Sequence, residues 1–115
     1  MTSVIIADDH PFLREGVRAV LTQAGLEVSA AVGDGDDALA AIEQHDPDVA
    51  ILDVRMPGCD GIEALQTMRK RGDQRPVILL TAVIEDRQLL EAMRAGVSGI
   101  VFKQGGENQL IEALD

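Results

Sequence analysis

Ser3-Val4-Ile5-Ile6-Ala7-Asp8-Asp9 is the stretch from which the rest of the chain can be read. An apolar run rich in β-branched side chains, with no polar alternation, suits a strand buried on both faces of a parallel sheet. Two acids follow it at once. Working outward, four more such runs recur: Leu26 to Val32, Val49 to Leu52, Val77 to Leu80 and Gly99 to Phe102. Only the second shows polar residues at alternate positions.

Segments of helical period lie between the runs. Leu13, Val17, Val20, Leu21 and Ala24 form one apolar stripe, and Ile62, Leu65 and Met68 another. Ala38, Leu39 and Ile42, then Leu89, Leu90 and Met93, then Leu110, Ile111 and Leu114 complete the set, each expected to face the core. Gly25, Asp46-Pro47, Gly72 and Gly96 stand where helices should stop. Strand and helix alternating five times is the pattern of a doubly wound α/β domain with right-handed crossovers. The last helix, after Gly105-Gly106, has room for about eight residues against a mean of about 11, so a longer natural protein trimmed within an element is expected.

The 115 residues suit one domain, and 46% hydrophobic against 26% charged residues suffices for a packed core. The net charge of −10 is uneven. Met1 to Val54 carries eleven acids against two bases, Arg14 and Arg18, whereas Arg55 to Asp115 is nearly balanced. Direct binding of nucleic acid or free anions by the acidic half therefore requires an intervening cation. A single cysteine, Cys59, no leader-like start and no long apolar stretch fit a reducing, cytoplasmic setting with no membrane span.

In an open parallel sheet, ligands bind beyond the carboxyl ends of the strands, near the point where strand order reverses. Asp8 and Asp9 follow the first strand, Asp53 the third, Thr81 the fourth and Lys103 the fifth. Gly33, after the second, offers no side chain, as suits an edge strand. One Asp at a strand end is ordinarily a helix cap or a turn former. Three on neighbouring strands repel one another, which makes that reading poor without a cation. Thr81 alone could be an ordinary β-branched strand residue. Lys103, one of two lysines, needs an anionic partner or must snorkel.

Clustered carboxylates supply the hard oxygen ligands that Mg²⁺ prefers, and three of them with Mg²⁺ and one ammonium make a neutral site. Such a site can accept a phosphoryl group, and a carboxylate beside the metal can attack phosphorus to give an acyl phosphate. Rival chemistries lack their residues: there is no G-x-x-x-x-G-K-[ST] or G-x-G-x-x-G loop, and no G-x-S-x-G elbow. Cys59 has no thiol or imidazole partner for zinc, and the absence of Trp and Tyr leaves little on which bases or flavins could stack.

Four motifs in order now resemble a known family. Val4 to Pro11, Ile51 to Gly61, Leu80-Thr81-Ala82 and Phe102-Lys103 are similar to the receiver domain of bacterial two-component response regulators. The Asp8 to Gly16 stretch resembles the NarL/LuxR subgroup, whose members usually carry a C-terminal helix-turn-helix DNA-binding domain. The resemblance implies a flavodoxin-like (βα)5 fold with strand order 2-1-3-4-5. It implies Asp53 as the phospho-acceptor, charged by a sensor histidine kinase. Asp9 would be a direct Mg²⁺ ligand, Asp8 a mostly water-mediated one, and the backbone carbonyl of Arg55 a third. Thr81 would be the switch hydroxyl, Ala82 the small residue leaving the phosphoryl group room, and Lys103 the partner of Asp53 and then of its phosphate.

Two positions depart from the family pattern. Ile100 stands where an aromatic switch residue is usual, and Phe102, at a different height of the same strand, does not replace it directly. Gln104 follows the lysine where Pro or an acid is common, which predicts a looser loop. The implied function is a signalling switch rather than an enzyme, catalysing only its own Mg²⁺-dependent phosphoryl transfer and dephosphorylation. Its fourth-helix to fifth-helix surface, with Arg87 and Arg94, is expected to serve homodimerisation on activation or an output, with DNA bound by a separate domain. An alternative is an atypical, unphosphorylated receiver used as an interaction module. A phosphatase with an aspartyl intermediate ranks last, because such enzymes commonly place an acid two residues after the nucleophile, where this chain has Arg55.

Overall fold

In chain order the elements are β1 (Ser3–Ala7), α1 (Pro11–Gln23), β2 (Glu27–Val32), α2 (Gly35–His45), β3 (Val49–Asp53), α3 (Gly61–Lys70), β4 (Val77–Thr81), α4 (Asp86–Arg94) and β5 (Gly99–Phe102). A 3-10 turn over Lys103–Gly105 and α5 (Glu107–Leu114) complete the computed structural model, which describes residues 1–105 and 107–114. Gly106, expected to precede the last helix, lies outside the described residues. The strands form one parallel sheet in the order β2-β1-β3-β4-β5, as the resemblance implies.

Alternation along the strands divides the core between two faces. Ile5, Ala50, Leu52, Val77 and Leu79 pack with Ile42, Leu65 and Met68 of α2 and α3. Val4, Ile6, Ile51, Ile78 and Leu80 pack with Val17 and Leu21 of α1 and with Leu110 of α5. Burying the large side chains of β1, β3 and β4, roughly 1.5–3 kcal/mol each, is what makes the three central strands the base of the fold. The edge strands are less enclosed: β2 is only partly buried, and Phe102 of β5 is 43% exposed. No helix among the described residues is long and apolar enough to cross a membrane.

Helices begin and end on local chemistry. Asp34 and Asp60 cap α2 and α3, each accepting a backbone N–H three residues on, at 2.7 and 2.8 Å. Asp36 and Asp37 fall in the first turn of α2 and His45 in its last, where their charges suit the helix dipole. Asp46 closes that helix in the left-handed region (φ 48°).

The apolar stripe of α4 faces outward rather than into the core. Leu89, Leu90 and Met93 of α4 are 36%, 48% and 63% exposed, and the buried residue of that helix is Ala92. At 100° per residue the stripe sits roughly 100° round the helix from Ala92. The small alanine lets α4 lie close to α3, while the larger side chains face outward. Arg69 of α3 fixes that approach: its guanidinium donates to the carbonyls of Ala95 (2.8 Å), Gly96 (3.0 Å), Asp73 (2.8 Å) and Arg75 (2.9 Å).

Candidate functional site

Strand order reverses between β2-β1 and β1-β3, so the carboxyl ends of β1 and β3 form the switch-point crevice. Asp8 and Asp53 stand there, fully buried or nearly so (0% and 2% exposed), with Asp9 beside them at the surface. Burying carboxylates is costly unless they are paired. Lys103 supplies the pairing: Nζ donates to Asp53 Oδ2 at 3.0 Å and lies 3.5 Å from Asp8 Oδ2. The lysine that had to find an anion has found two.

The backbone shapes the cluster further. Asp8 Oδ1 accepts the His10 N–H at 2.9 Å, and Asp53 Oδ1 accepts the Arg55 N–H at 3.3 Å. Arg14, not singled out from the sequence, reaches back from α1 to donate to the Asp8 carbonyl at 2.8 Å, holding the acidic turn. An Arg one helical turn beyond an acidic strand end is the signal that could have found it. Two close approaches seat the loop after β3. A Cβ on Gly61 would meet the Asp53 carbonyl oxygen at 2.2 Å, and one on Gly35 would meet that of Cys59 at 2.1 Å. Burial, with the charges of Asp36, Glu63, Asp60 and Asp34, pushes the Cys59 thiol up, which keeps it protonated and unreactive.

The electrostatics leave a cation wanting. Burial raises the Asp53 carboxyl above the usual carboxylate range; the hydrogen bond from Lys103 opposes this, and the charge of Asp8 adds to it. One ammonium faces three carboxylates. Asp8 Oδ2 is buried with no hydrogen-bond partner among the described residues. A buried carboxylate oxygen without a hydrogen bond, in a pocket where one ammonium faces three carboxylates, is what a hard divalent cation would satisfy, so the donor set fits Mg²⁺. Beside it opens a cavity of about 460 Å³ lined by Asp9, Arg55, Met56, Pro57 and Gln88, among others.

Thr81 is fully buried, and its hydroxyl donates to the Val83 carbonyl at 2.7 Å, so it is occupied within its own loop. The loop after Lys103 closes as a 3-10 turn, and Gln104 Nε2 donates to the carbonyl of Ala82 at 2.9 Å. A side-chain amide can make a bond there that a proline could not. Ile100 packs against the α2-α3-α4 face of the core, whereas Phe102 lines a groove with Leu13, Val17 and Leu110 on the opposite face.

The fold and the strand-end acids define a flavodoxin-like α/β domain with an acidic pocket at its switch point. The description "Response regulator receiver domain" matches residues 4–115, and the chain belongs to that family. Among its relatives is the Bacillus subtilis transcriptional regulatory protein YxjL, 38% identical over 112 residues, covering 96% of this chain and 51% of YxjL. The probable regulator NarL of Mycobacterium tuberculosis is 36% identical over 112 residues, covering 96% of this chain and 52% of NarL. The chain spans about half the length of these curated relatives. Among solved structures, a LuxR-family DNA-binding response regulator from Staphylococcus aureus superposes with a TM-score of 0.94 at 33% identity, covering 99% of this chain and 96% of that one. The receiver domain of M. tuberculosis NarL gives 0.92 at 35% identity, covering 98% and 92%.

Proposed function

We propose that this chain is a phosphorylation switch in which Asp53 takes a phosphoryl group from a phosphohistidine of a sensor histidine kinase in the cytoplasm. The observation that carries this is the pairing of a buried carboxylate with Lys103 at 3.0 Å beside an orphaned oxygen of Asp8. A carboxylate oxygen of Asp53 forms the new bond to phosphorus while the nitrogen–phosphorus bond of the donor breaks. The electron pair and a proton go to the leaving imidazole. Asp8, Asp9, Asp53 and the backbone carbonyl of Arg55 would hold Mg²⁺, which when bound supplies charge neutralisation for the incoming phosphoryl oxygens.

Lys103 sits where it can exchange its bond to the carboxylate for one to a phosphoryl oxygen. Thr81 would leave the Val83 carbonyl and donate to another, and exposed Ala82 leaves room for it. That movement would rearrange the loop leading into α4, biasing the surface from α4 to α5, which carries Arg87 and Arg94. Such a surface suits homodimerisation and control of an output. The output is proposed to be transcription, exerted through a separate DNA-binding domain; a relative from Escherichia coli is named a DNA-binding transcriptional activator.

Incubation with labelled acetyl phosphate and Mg²⁺ tests the reading. Label should appear on the wild type and be lost in Asp53→Asn. Equal labelling of both proteins refutes the assignment. No label on the wild type, with no NMR response to Mg²⁺ and beryllofluoride together, favours an unphosphorylated interaction module.

A further inference from the structure

His10 is the residue before α1, in extended backbone (φ −98°, ψ 105°), where a side chain ordinarily caps the helix; its ring caps nothing. Nδ1 instead is hydrogen-bonded to Asp8 Oδ1 at 3.2 Å and lies 3.1 Å from Asp9 Oδ1 and 4.0 Å from Asp53 Oδ2. Nδ1 and one oxygen from each of these three carboxylates all fall within 4.8 Å of one another. Neighbouring donors on one octahedral ion with bonds of about 2.2 Å are about 3.1 Å apart, which is the spacing of Nδ1 from Asp8 and Asp9. Independently of His10, the buried Asp8 Oδ2 has no hydrogen-bond partner among the described residues. The cluster is thus short of positive charge and already converged on a common point.

We propose that His10 is a fourth side-chain donor to the cation, through Nδ1, beside the three carboxylates and the Arg55 carbonyl. The site would then select a borderline first-row transition ion over Mg²⁺. The proposal rests on the reading that the carboxylates hold a divalent cation. Oxygen ligands alone suit Mg²⁺, which keeps its waters and takes few protein donors. Imidazole adds affinity for ions later in the first transition row and little for Mg²⁺. The ring is tethered to the backbone one residue after Asp9, so bringing it to the metal requires only a side-chain adjustment. Its side chain is 65% exposed, so its replacement leaves the core intact.

Co²⁺ is the probe, because a coordinated imidazole on high-spin Co²⁺ shows ring-proton resonances displaced far outside the ordinary NMR range. The whole chain is titrated with Co²⁺ and with Mg²⁺ by calorimetry, as wild type, His10→Asn and His45→Gln. Displaced imidazole resonances should appear in wild type and His45→Gln and vanish in His10→Asn. His10→Asn should lose about tenfold or more in Co²⁺ affinity and less than about twofold for Mg²⁺. Wild type that binds both ions without displaced resonances, or an unchanged Co²⁺ to Mg²⁺ ratio in His10→Asn, overturns the role of His10 and leaves the carboxylate site standing. Absence of binding by either ion overturns the carboxylate reading and this proposal with it.

Discussion

Removing the charge of Asp53 should stabilise the metal-free protein, although it breaks an ion pair. The attraction of Lys103 for Asp53 at 3.0 Å is about 5.5 kcal/mol at an effective dielectric of about 20. Against it stand repulsion of about 3.5 kcal/mol from Asp8 at up to 4.8 Å, a smaller repulsion from the more exposed Asp9, and several kcal/mol for desolvating the carboxylate. The opposing terms exceed the attraction by about 1–3 kcal/mol, in keeping with the upward shift of the Asp53 carboxyl. Asp53→Asn keeps shape and hydrogen-bonding capacity while losing the charge. For 115 residues, about 2.1 cal/mol/K each, 1 kcal/mol is about 4 °C, so the variant should melt about 4–12 °C above wild type. Far-ultraviolet circular dichroism in EDTA at pH 7.5 is the assay, since the chain has no Trp or Tyr for fluorescence. The folded carboxyl titrates above the unfolded one, so the penalty builds as pH rises between those two values. It vanishes below the unfolded value, where both states are protonated, and the gap should close on acidification. Saturating Mg²⁺ should narrow it too, by about 2.7 kcal/mol at a hundredfold excess over Kd. A variant that melts at or below wild type in EDTA at pH 7.5 refutes the reasoning.

Asp8→Asn should weaken Mg²⁺ binding by about tenfold or more, read by calorimetry; undiminished affinity would mean that the orphaned oxygen is no part of the cation site. Arg69→Ala removes four hydrogen bonds to carbonyls of the loops after α3 and α4 and should cost about 2–4 kcal/mol in urea unfolding, with Arg69→Lys recovering only part because an ammonium lacks the planar fork. Burial pushes the Asp73 carboxyl up, but hydrogen bonds from the side chain and backbone of Arg75 outweigh it and hold the group below the usual range. Its contribution is present above the ordinary carboxylate pKa and lost as pH falls through the folded value. Asp73→Asn should therefore cost about 1–2 kcal/mol at pH 7 and progressively less as pH falls through the folded value, and a cost that does not change on acidification would sink the idea.

Sheet and site were legible where residue type and position carry the same message. Apolar runs located all five strands, most plainly β1, β3 and β4, where burial on both faces leaves no other composition, and the carboxyl ends of β1, β3 and β5 located the acids and Lys103. What failed needed three-dimensional packing. Leu89, Leu90 and Met93 have a regular helical period, but period does not say which face of α4 is buried, and Ala92 decided that by letting α3 approach. Gln104 looked like a missing proline, whereas its amide reaches Ala82 across 22 positions of chain. The direction of His10 Nδ1 depends on a rotamer that no local pattern encodes. Arg14 and Arg69 act on backbone carbonyls, partners that every residue possesses and no sequence marks.

The two glycines that seat the loop after β3 set a limit on how this chain can diverge. A Cβ at Gly35 or Gly61 would run into backbone, which cannot retreat as a flexible side-chain tip can. Glycine at both positions should therefore persist in descendants that keep this backbone path, while Cys59, which does no chemistry, drifts freely. A lineage that exchanged Asp53 for another residue and became a silent scaffold would still be bound to both. Across a set of descendants, the glycine pair marks inheritance of the architecture, and only the acids and Lys103 record whether the chemistry came with it.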